Sequence, residues 1–279
     1  MTSHGLCRSA AAALAALLAI SPAAAQTVSR PPANGTFDYQ IGGPYTPASN
    51  VKIVVRDRLA APAAGKYNIC YVNAFQSQPE DAKWWRKTHP DLLVAKKGAF
   101  VTDPDWPGEY LFDVSTPAKR QALIAIVGPW IDACAKDGFK AVEADNLDSW
   151  TRSRKVLRKQ HNAAFAVLLA QRAHAAGLAI GQKNTAELAP IGVSTLKFDF
   201  AIVEECQIYS ECEDFTHVYG DQVYEIEYND NKKDGNGDPI KPIDAFNAAC
   251  KARGSDISII YRDRDVVPRG KPAYEYKAC

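Results

Sequence analysis

The stretch Phe139-Lys-Ala-Val-Glu-Ala-Asp-Asn-Leu-Asp-Ser-Trp150 begins as a buried strand and ends in acid. Phe139, Ala141 and Val142 are apolar, and Glu143, Asp145, Asn146 and Asp148 follow within a few residues. Side chains of a strand alternate between faces, so Glu143 and Asp145 point one way and Asn146 the other. Carboxylates at the end of a buried strand are costly unless the strand opens into a polar cavity. A plainer reading is a strand end with solvated acids ahead of a helix cap, where Asp and Asn are common. A second run of the same kind, Phe198-Asp-Phe-Ala-Ile-Val-Glu-Glu-Cys206, favours the cavity.

Working outward from these two runs, the chain alternates strands with helices. Strands are expected at Phe37–Ile41, Val51–Val55, Tyr67–Val72, from Phe139, at Leu178–Gln182, from Phe198, at Val223–Tyr228 and at Ile257–Tyr261. Thr116-Pro117 starts a helix with a cap and a first-turn proline, and Gly138 ends it. Further helices are expected at Lys155–Ala176 and Pro242–Arg253, and a short one within Gln78–Lys97. Arg56 to Lys66 is too short for a full crossover helix, so the first crossover is degenerate. Eight strands in about 250 residues match a single-domain (β/α)₈ TIM barrel of the α/β class. A doubly wound sheet is the alternative, but no G-x-G-x-x-G follows the first strand and no Walker loop is present. In a barrel all the polar strand ends, Gln40, Asp145, Lys183, Asn184, Glu204 and Glu227, meet at one face.

Residues 1–25 read as a signal peptide: Arg8, an apolar stretch from Ala10 to Ile20, then Ser21-Pro-Ala-Ala-Ala25. The apolar stretch falls short of the roughly 20 residues of a membrane span. The expected order is signal peptide 1–25, a loosely held leader 26–36, and a (β/α)₈ domain 37–279. A mature chain that is exported, secreted or periplasmic, with no membrane attachment, follows. The formal charge of +1 falls to about zero without Arg8, and no basic stretch suits nucleic acid. Cys7 leaves with the signal, and Cys70, Cys134, Cys206, Cys212, Cys250 and Cys279 remain. Six cysteines in an exported chain with scattered histidines point to disulfides rather than metal. Proximity favours Cys206 with Cys212, a tied-down tail favours Cys250 with Cys279, and Cys70 with Cys134 is left.

Two carboxylates at the ends of different strands, facing one pocket, are the apparatus of glycosidic bond cleavage. His161, His174 and His217 fall on helices or loops and complete no Ser-His-Asp set. A metal site from Asp145, Asp148 and Glu204 has no motif behind it, and no cofactor or metal is expected.

On these residues the chain resembles glycoside hydrolase family 114, the endo-α-1,4-polygalactosaminidase family, over nearly its whole mature length. Glu143-Ala-Asp-Asn146 stands for the family's Glu-Pro-Asp-Asn, and Gln182-Lys-Asn184 for its Leu-Lys-Asn. Val203-Glu-Glu-Cys206 with Cys212 stands for Asn-Glu-Gln-Cys and its nearby Cys, and Ile226-Glu-Tyr228 for Val-Glu-Tyr. Ile69-Cys-Tyr71 and Trp106-Pro-Gly-Glu109 match a strand and a loop of the family. The resemblance implies Asp145 as nucleophile and Glu204 as acid/base in a retaining mechanism. It implies a polysaccharide substrate, an α-1,4-linked, amine-bearing galactosamine polymer; a monomer is expected. Gln40, Tyr71, Glu143, Asn146, Asp148, Lys183, Asn184, Glu205, Glu227 and Tyr228 are the expected substrate-binding set. An acidic cleft would suit a cationic sugar, and crowding would raise the pKa of one carboxylate, as a general acid needs.

The chain departs from the family at two strand ends. Arg56-Asp57-Arg58-Leu59 stands where an Asp-rich segment is usual, and Tyr71-Val-Asn-Ala-Phe75 replaces Tyr-Phe-Ser-Ala-Gly. Arg56 and Arg58 are therefore expected to shape the substrate site. Asp230–Asp238 looks like a calcium loop, yet Lys232 or Pro239 falls on a required position, so a solvated loop is expected. Trp84-Trp85 reads as helix packing rather than a sugar platform. The competing functions are a catalytically silent carbohydrate-binding barrel and a retaining hydrolase of another α-glycoside.

Overall fold

In the computed structural model, which describes residues 1–2 and 28–279, each apolar, β-branched run forms a strand. The strands are β1 (Phe37–Tyr39), β2 (Ile53–Asp57), β3 (Tyr67–Asn73) and β4 (Ala141–Asp145), then β5 (Ala179–Lys183), β6 (Phe200–Glu204), β7 (Val223–Tyr228) and β8 (Ser258–Arg262). Each pairs in parallel with the next, in sequence order. A ninth strand, β9 (Tyr276–Ala278), pairs antiparallel with β8. The expected signal peptide lies outside the described residues, apart from residues 1–2.

This is a (β/α)₈ barrel whose sheet is nearly closed. Among the described residues no backbone ladder joins β8 to β1, and side chains close that seam. Ser258 Oγ donates to Gly35 O at 2.8 Å, and Tyr276 Oη to Phe37 O at 2.8 Å. The wholly buried Arg262 donates to Tyr39 O and pairs with Asp38 at 3.4 Å. A charge taken so far from water is tolerated only because it is paired and hydrogen-bonded.

Alternation along each strand divides the core in two. Inward positions, among them Phe37, Tyr39, Ile53, Val55, Ile69, Phe200, Ile202, Tyr224, Ile226 and Tyr228, fill the barrel. Outward positions such as Val72, Val142, Ile180 and Val203 meet the helices. Gly181 is where the interior needs room: a Cβ there would lie 2.5 Å from the Phe200 ring.

The helices are α1 (Ala82–Thr88), α2 (Pro117–Asp137), α3 (Lys159–Ala175), α4 (Cys212–Tyr219) and α5 (Pro242–Arg253). Thr116 caps α2 through the Lys119 N–H, and Gly138 ends it at φ 99°. The third helix starts four residues later than expected, because Arg154 and Lys155 sit in the left-handed region, at φ 55° and 65°. No helix follows β1 or β2, and residues 186–196 form only short helical turns. The outer face of β2 is therefore covered by loops, with Ala48, Val51 and Ala63 packed on Val54.

Three disulfides form as expected: Cys70–Cys134 between β3 and α2, Cys206–Cys212 after β6, and Cys250–Cys279 from α5 to the last residue. The described part of the leader is not loose. Tyr224 Oη donates to Pro32 O at 3.1 Å, and Asn34 Nδ2 to Ser255 O at 2.7 Å. Among the described residues, no helix is long and apolar enough to cross a membrane.

Candidate active site

The C-terminal ends of the strands open into one cleft of about 420 Å³. Three neighbouring strands leave it by the same device. Asn146 after β4, Asn184 after β5 and Glu205 after β6 are left-handed, at φ 64°, 46° and 58°. Asn tolerates that conformation; Glu does not, at a cost on the order of 1 kcal/mol, and Arg264 holds Glu205 there through a 2.7 Å ion pair. The sharp exit turns polar side chains back onto the strand ends. Asn184 Nδ2 donates to Glu204 Oε2 at 2.9 Å, while its Oδ1 accepts the Glu204 N–H at 2.8 Å. Asn146 Nδ2 donates to Asn73 Oδ1 at 2.8 Å.

The centre of the site is Lys183. Its Nζ lies 3.0 Å from Glu143 Oε1, 3.4 Å from Asp145 Oδ1 and 3.3 Å from Glu204 Oε2. With one nitrogen in contact with both, the near oxygens of Asp145 and Glu204 are separated by about 7 Å at most. The retaining separation of about 5–5.5 Å lies within that bound, and most of the inverting range, about 6.5–9.5 Å, lies beyond it. The outer oxygens of both acids are also occupied. Tyr71 Oη donates to Asp145 Oδ2 at 2.6 Å, and Tyr228 Oη to Glu204 Oε1 at 2.5 Å.

These contacts set the charges. Burial alone would raise the pKa of Asp145, but the Lys183 ammonium, the Tyr71 hydroxyl and the Asn146 N–H outweigh it and hold Asp145 below the usual carboxylate range. Burial would lower that of Lys183, but Asp145, Glu143 and Glu204 raise it well above a normal lysine. Two carboxyls around the pair do rise: Glu143, pushed up to about 7 by burial against the pull of Lys183, and Glu109 on the cleft wall, raised by burial against the hydrogen bonds of Asn73 and Gln76. Burial, more than the crowding expected from the sequence, is the main cause at both.

Arg152 organises the opposite wall. It pairs with Asp103 at 2.6 Å and Asp148 at 2.8 Å, and donates to Asn146 Oδ1 and Gln76 Oε1. Glu109 accepts from Asn73 and Gln76, each at 2.9 Å, and the exposed Trp106 stands at the rim. Eight carboxylates line the cleft (Asp57, Asp103, Asp105, Glu109, Asp145, Asp148, Glu204, Asp265) against Arg152, Lys183 and Arg264. The cleft therefore carries an excess of negative charge.

The structure brings Tyr71, Asp145, Asn146, Asp148, Lys183, Asn184, Glu204 and Tyr228 together at the cleft. Four of the expected binding residues do not line it. Gln40 is buried between Asp38 and Arg56, Glu143 lies under Lys183, and Glu205 faces Arg264. Glu227 points outward, because Tyr228 and Ile226 take the inward positions of β7. The expectation for Arg56 and Arg58 is also corrected. Arg56 is held by Gln40 and the carbonyls of Ala61 and Tyr45, and Arg58 stacks on Trp130 and pairs with Asp81. Only Asp57 between them faces the cleft, as strand alternation requires.

Sequence reasoning left out Tyr39, Asp57, Asp103, Trp106, Glu109, Arg152 and Arg264. The Trp-Pro-Gly-Glu motif was a signal for Trp106 and Glu109, and the four-residue spacing from Asp148 was one for Arg152. Trp85 is wholly buried, and Trp84 lies outside the cleft against His89. In the Asp230–Asp238 loop, Asp234 Oδ1 accepts from the backbone of Asn236 and Asp238, and Asp230 pairs with Arg264. Among the described residues the cluster of metal-ligand types is Cys206, Cys212 and Glu225, and its two sulfurs are bonded to each other.

The model of glycoside-hydrolase family GH114 matches residues 18–279. No curated protein matches the chain. Among solved structures, Aspergillus fumigatus Ega3 in complex with galactosamine superposes with a TM-score of 0.68 at 23% identity, covering 91% of this chain and 98% of that one. The glycoside hydrolase domain of PelA from Pseudomonas aeruginosa superposes with a TM-score of 0.56 at 15% identity, covering 85% and 96%. At these identities the superpositions establish the shared fold.

Proposed function

The chain belongs to glycoside-hydrolase family GH114 and is a glycoside hydrolase, and from that premise we propose that it cleaves an α-1,4-linked, galactosamine-type polymer by a retaining mechanism. The observation that carries this reading is the pair Asp145 and Glu204, held on either side of one ammonium with their near oxygens about 7 Å apart at most. Asp145 is the nucleophile: its pKa is held down, so it keeps the charge that attack requires. Glu204 is the acid/base, reached from the cleft and oriented by Tyr228 and Asn184. Tyr71, Asn146, Asp148, Asn184 and Tyr228 hold the sugar, and Trp106 at the rim offers a flat face for it.

The excess of carboxylates supports a cationic substrate, since a confined acidic cleft concentrates amine-bearing sugars. The relative Ega3 was crystallised with galactosamine, which favours the same class. Three disulfides fit an oxidising compartment, and with the expected signal peptide they support secretion or a periplasmic location. We take the mature enzyme as a monomer free of the membrane.

The test is the purified mature protein on deacetylated galactosaminan, its N-acetylated form and a neutral α-glucan, with new reducing ends measured. Cleavage of the deacetylated polymer above the other two is the expected result. Binding without new reducing ends would instead favour the silent barrel, and preferential cleavage of the glucan another α-glycoside.

A further inference from the structure

The two-carboxylate scheme leaves Lys183 and Glu143 without a task. Lys183 is 3% exposed, and its three N–H donors are shared among four oxygens: Glu143 Oε1, Asp145 Oδ1, Glu204 Oε2 and, at 3.1 Å, Tyr39 Oη. Tyr39 Oη in turn donates to Glu143 Oε1 at 2.8 Å. Glu143 is fully buried, and its second oxygen has no partner. Such a carboxyl is expensive to keep, and all of its contacts lead to Lys183, directly or through Tyr39. We propose that Lys183 is a further catalytic residue, the common counter-ion of nucleophile and acid/base, and that Glu143 and Tyr39 position its ammonium between them from beneath.

This rests on the retaining reading of Asp145 and Glu204. In the first step an Asp145 oxygen bonds to the anomeric carbon as the glycosidic C–O bond breaks. The leaving oxygen takes the proton of Glu204. One negative charge vanishes at Asp145 and one appears at Glu204. In the second step water gives a proton to Glu204, its oxygen bonds to the anomeric carbon, and the bond to Asp145 breaks. The charge returns. An ammonium in contact with both acids is paired in every state, so the charge shifts with little reorganisation. A lysine suits this better than an arginine, because a compact point charge can sit between three carboxylates where a planar fork cannot. The groups facing Lys183 are Tyr39 from β1, Tyr71 from β3, Glu143 and Asp145 from β4, Glu204 from β6 and Tyr228 from β7. All are carboxyls or phenols; Arg152 and Arg264 also line the cleft, but among the described residues neither forms an ion pair with Asp145 or Glu204.

The test compares Asp145→Asn, Lys183→Met, Lys183→Ala and Glu143→Gln in the mature protein, with kcat, KM and melting followed together. Lys183→Met should lower kcat by about 10²-fold or more with KM unchanged or lower. Propylammonium, the fragment lost in Lys183→Ala, should restore part of its turnover, and 1-propanol should not. A rise in KM at normal kcat would make Lys183 a substrate ligand and overturn the proposal, as would equal rescue by amine and alcohol. Should both Lys183 variants fail to melt cooperatively, Glu143→Gln carries the test, since it keeps volume and hydrogen bonds. Glu143→Gln removes the anion that forms at Glu143 as pH rises, so the ammonium is shared between Asp145 and Glu204 alone. The alkaline limb of kcat/KM then moves to lower pH while the acidic limb stays. An unmoved profile overturns the positioning role. An active Asp145→Asn would sink the retaining reading itself; an inactive one beside a normal Lys183→Met would sink this proposal alone.

Discussion

Two groups of carboxylates at strand ends sit on the same barrel and come to opposite ends. Inside it, Glu143, Asp145 and Glu204 converge on Lys183. Outside it, Glu225 and Glu227 of β7 point toward α5 and the Cys206–Cys212 bridge, with Arg253 as their cation. Arg253 reaches Glu225 at 3.1 Å but not Glu227, which has the Gln207 N–H at 3.0 Å and one oxygen without a partner. Burial first, and then the Glu225 charge, push the pKa of Glu227 well above the carboxylate range, whereas that of Asp145 is held below it. A proton on Glu227 gives the orphan oxygen something to donate, and Glu225 is the acceptor beside it. A carboxyl at a strand end is thus held charged or left a neutral filler. What decides between them is which side chain a single cation can touch.

The sharpest way to break this contrast is to neutralise the inner group. Asp145→Asn should lower turnover by more than about 10³-fold, since it removes the attacking charge and little volume. Reducing-end assays beside a melting curve check this, and substantial residual cleavage by a folded variant would remove Asp145 from the chemistry. Next in size, Glu204→Gln should slow polymer cleavage by about 10²–10⁴-fold. Substrates with good leaving groups should lose much less, because they need no proton. Equal losses on both substrate types would deny Glu204 the role of acid.

Changes at the outer group should touch stability and leave turnover alone. Opening the bridge beside it with Cys206→Ser and Cys212→Ser frees a short loop, its ends only 6 residues apart. The expected loss is about 2 kcal/mol on chain entropy, read by denaturant titration, with normal kcat in the folded fraction. A large drop in kcat would mean that the bridge positions Glu204. The smallest effect is expected from Glu227→Gln. Because the folded state holds this proton more tightly than the unfolded chain, wild-type stability falls as pH rises from the carboxylate range through neutrality. The variant should gain about 1–2 kcal/mol over wild type at pH 8 and nothing at pH 4, where both groups are neutral. An equal gain at both pH values would assign the effect to packing.

Much of the barrel was legible because its signals are local. Runs such as Val51–Val55 and Phe198–Val203 carry their own strand propensity, Thr116-Pro117 and Gly138 mark their helix by cap chemistry, and Tyr228 and Glu204 follow from strand alternation. Where alternation was not carried through, the reading failed. Glu227 sits one residue from Tyr228 and so faces the other way, and Arg56 and Arg58 flank Asp57 in the same manner. The late start of α3 was hidden in two lysine- and arginine-bearing positions that turn left-handed, a choice no propensity scale marks.

The sequence by itself determined the strand and helix order, the two acid-ended strands and the family motifs, because each is written in neighbouring residues or in their order. Tertiary structure alone decided the electrostatics. Tyr39 and Lys183 are 144 residues apart, and Arg262 meets Tyr39 across 223 residues at the seam. Coulomb interactions depend on the distance between charges and on the solvent between them. Both quantities come into being only when eight strand ends meet at one mouth. There one buried ammonium finds three carboxylates, and there burial and the ammonium push Glu143 up and hold Asp145 down.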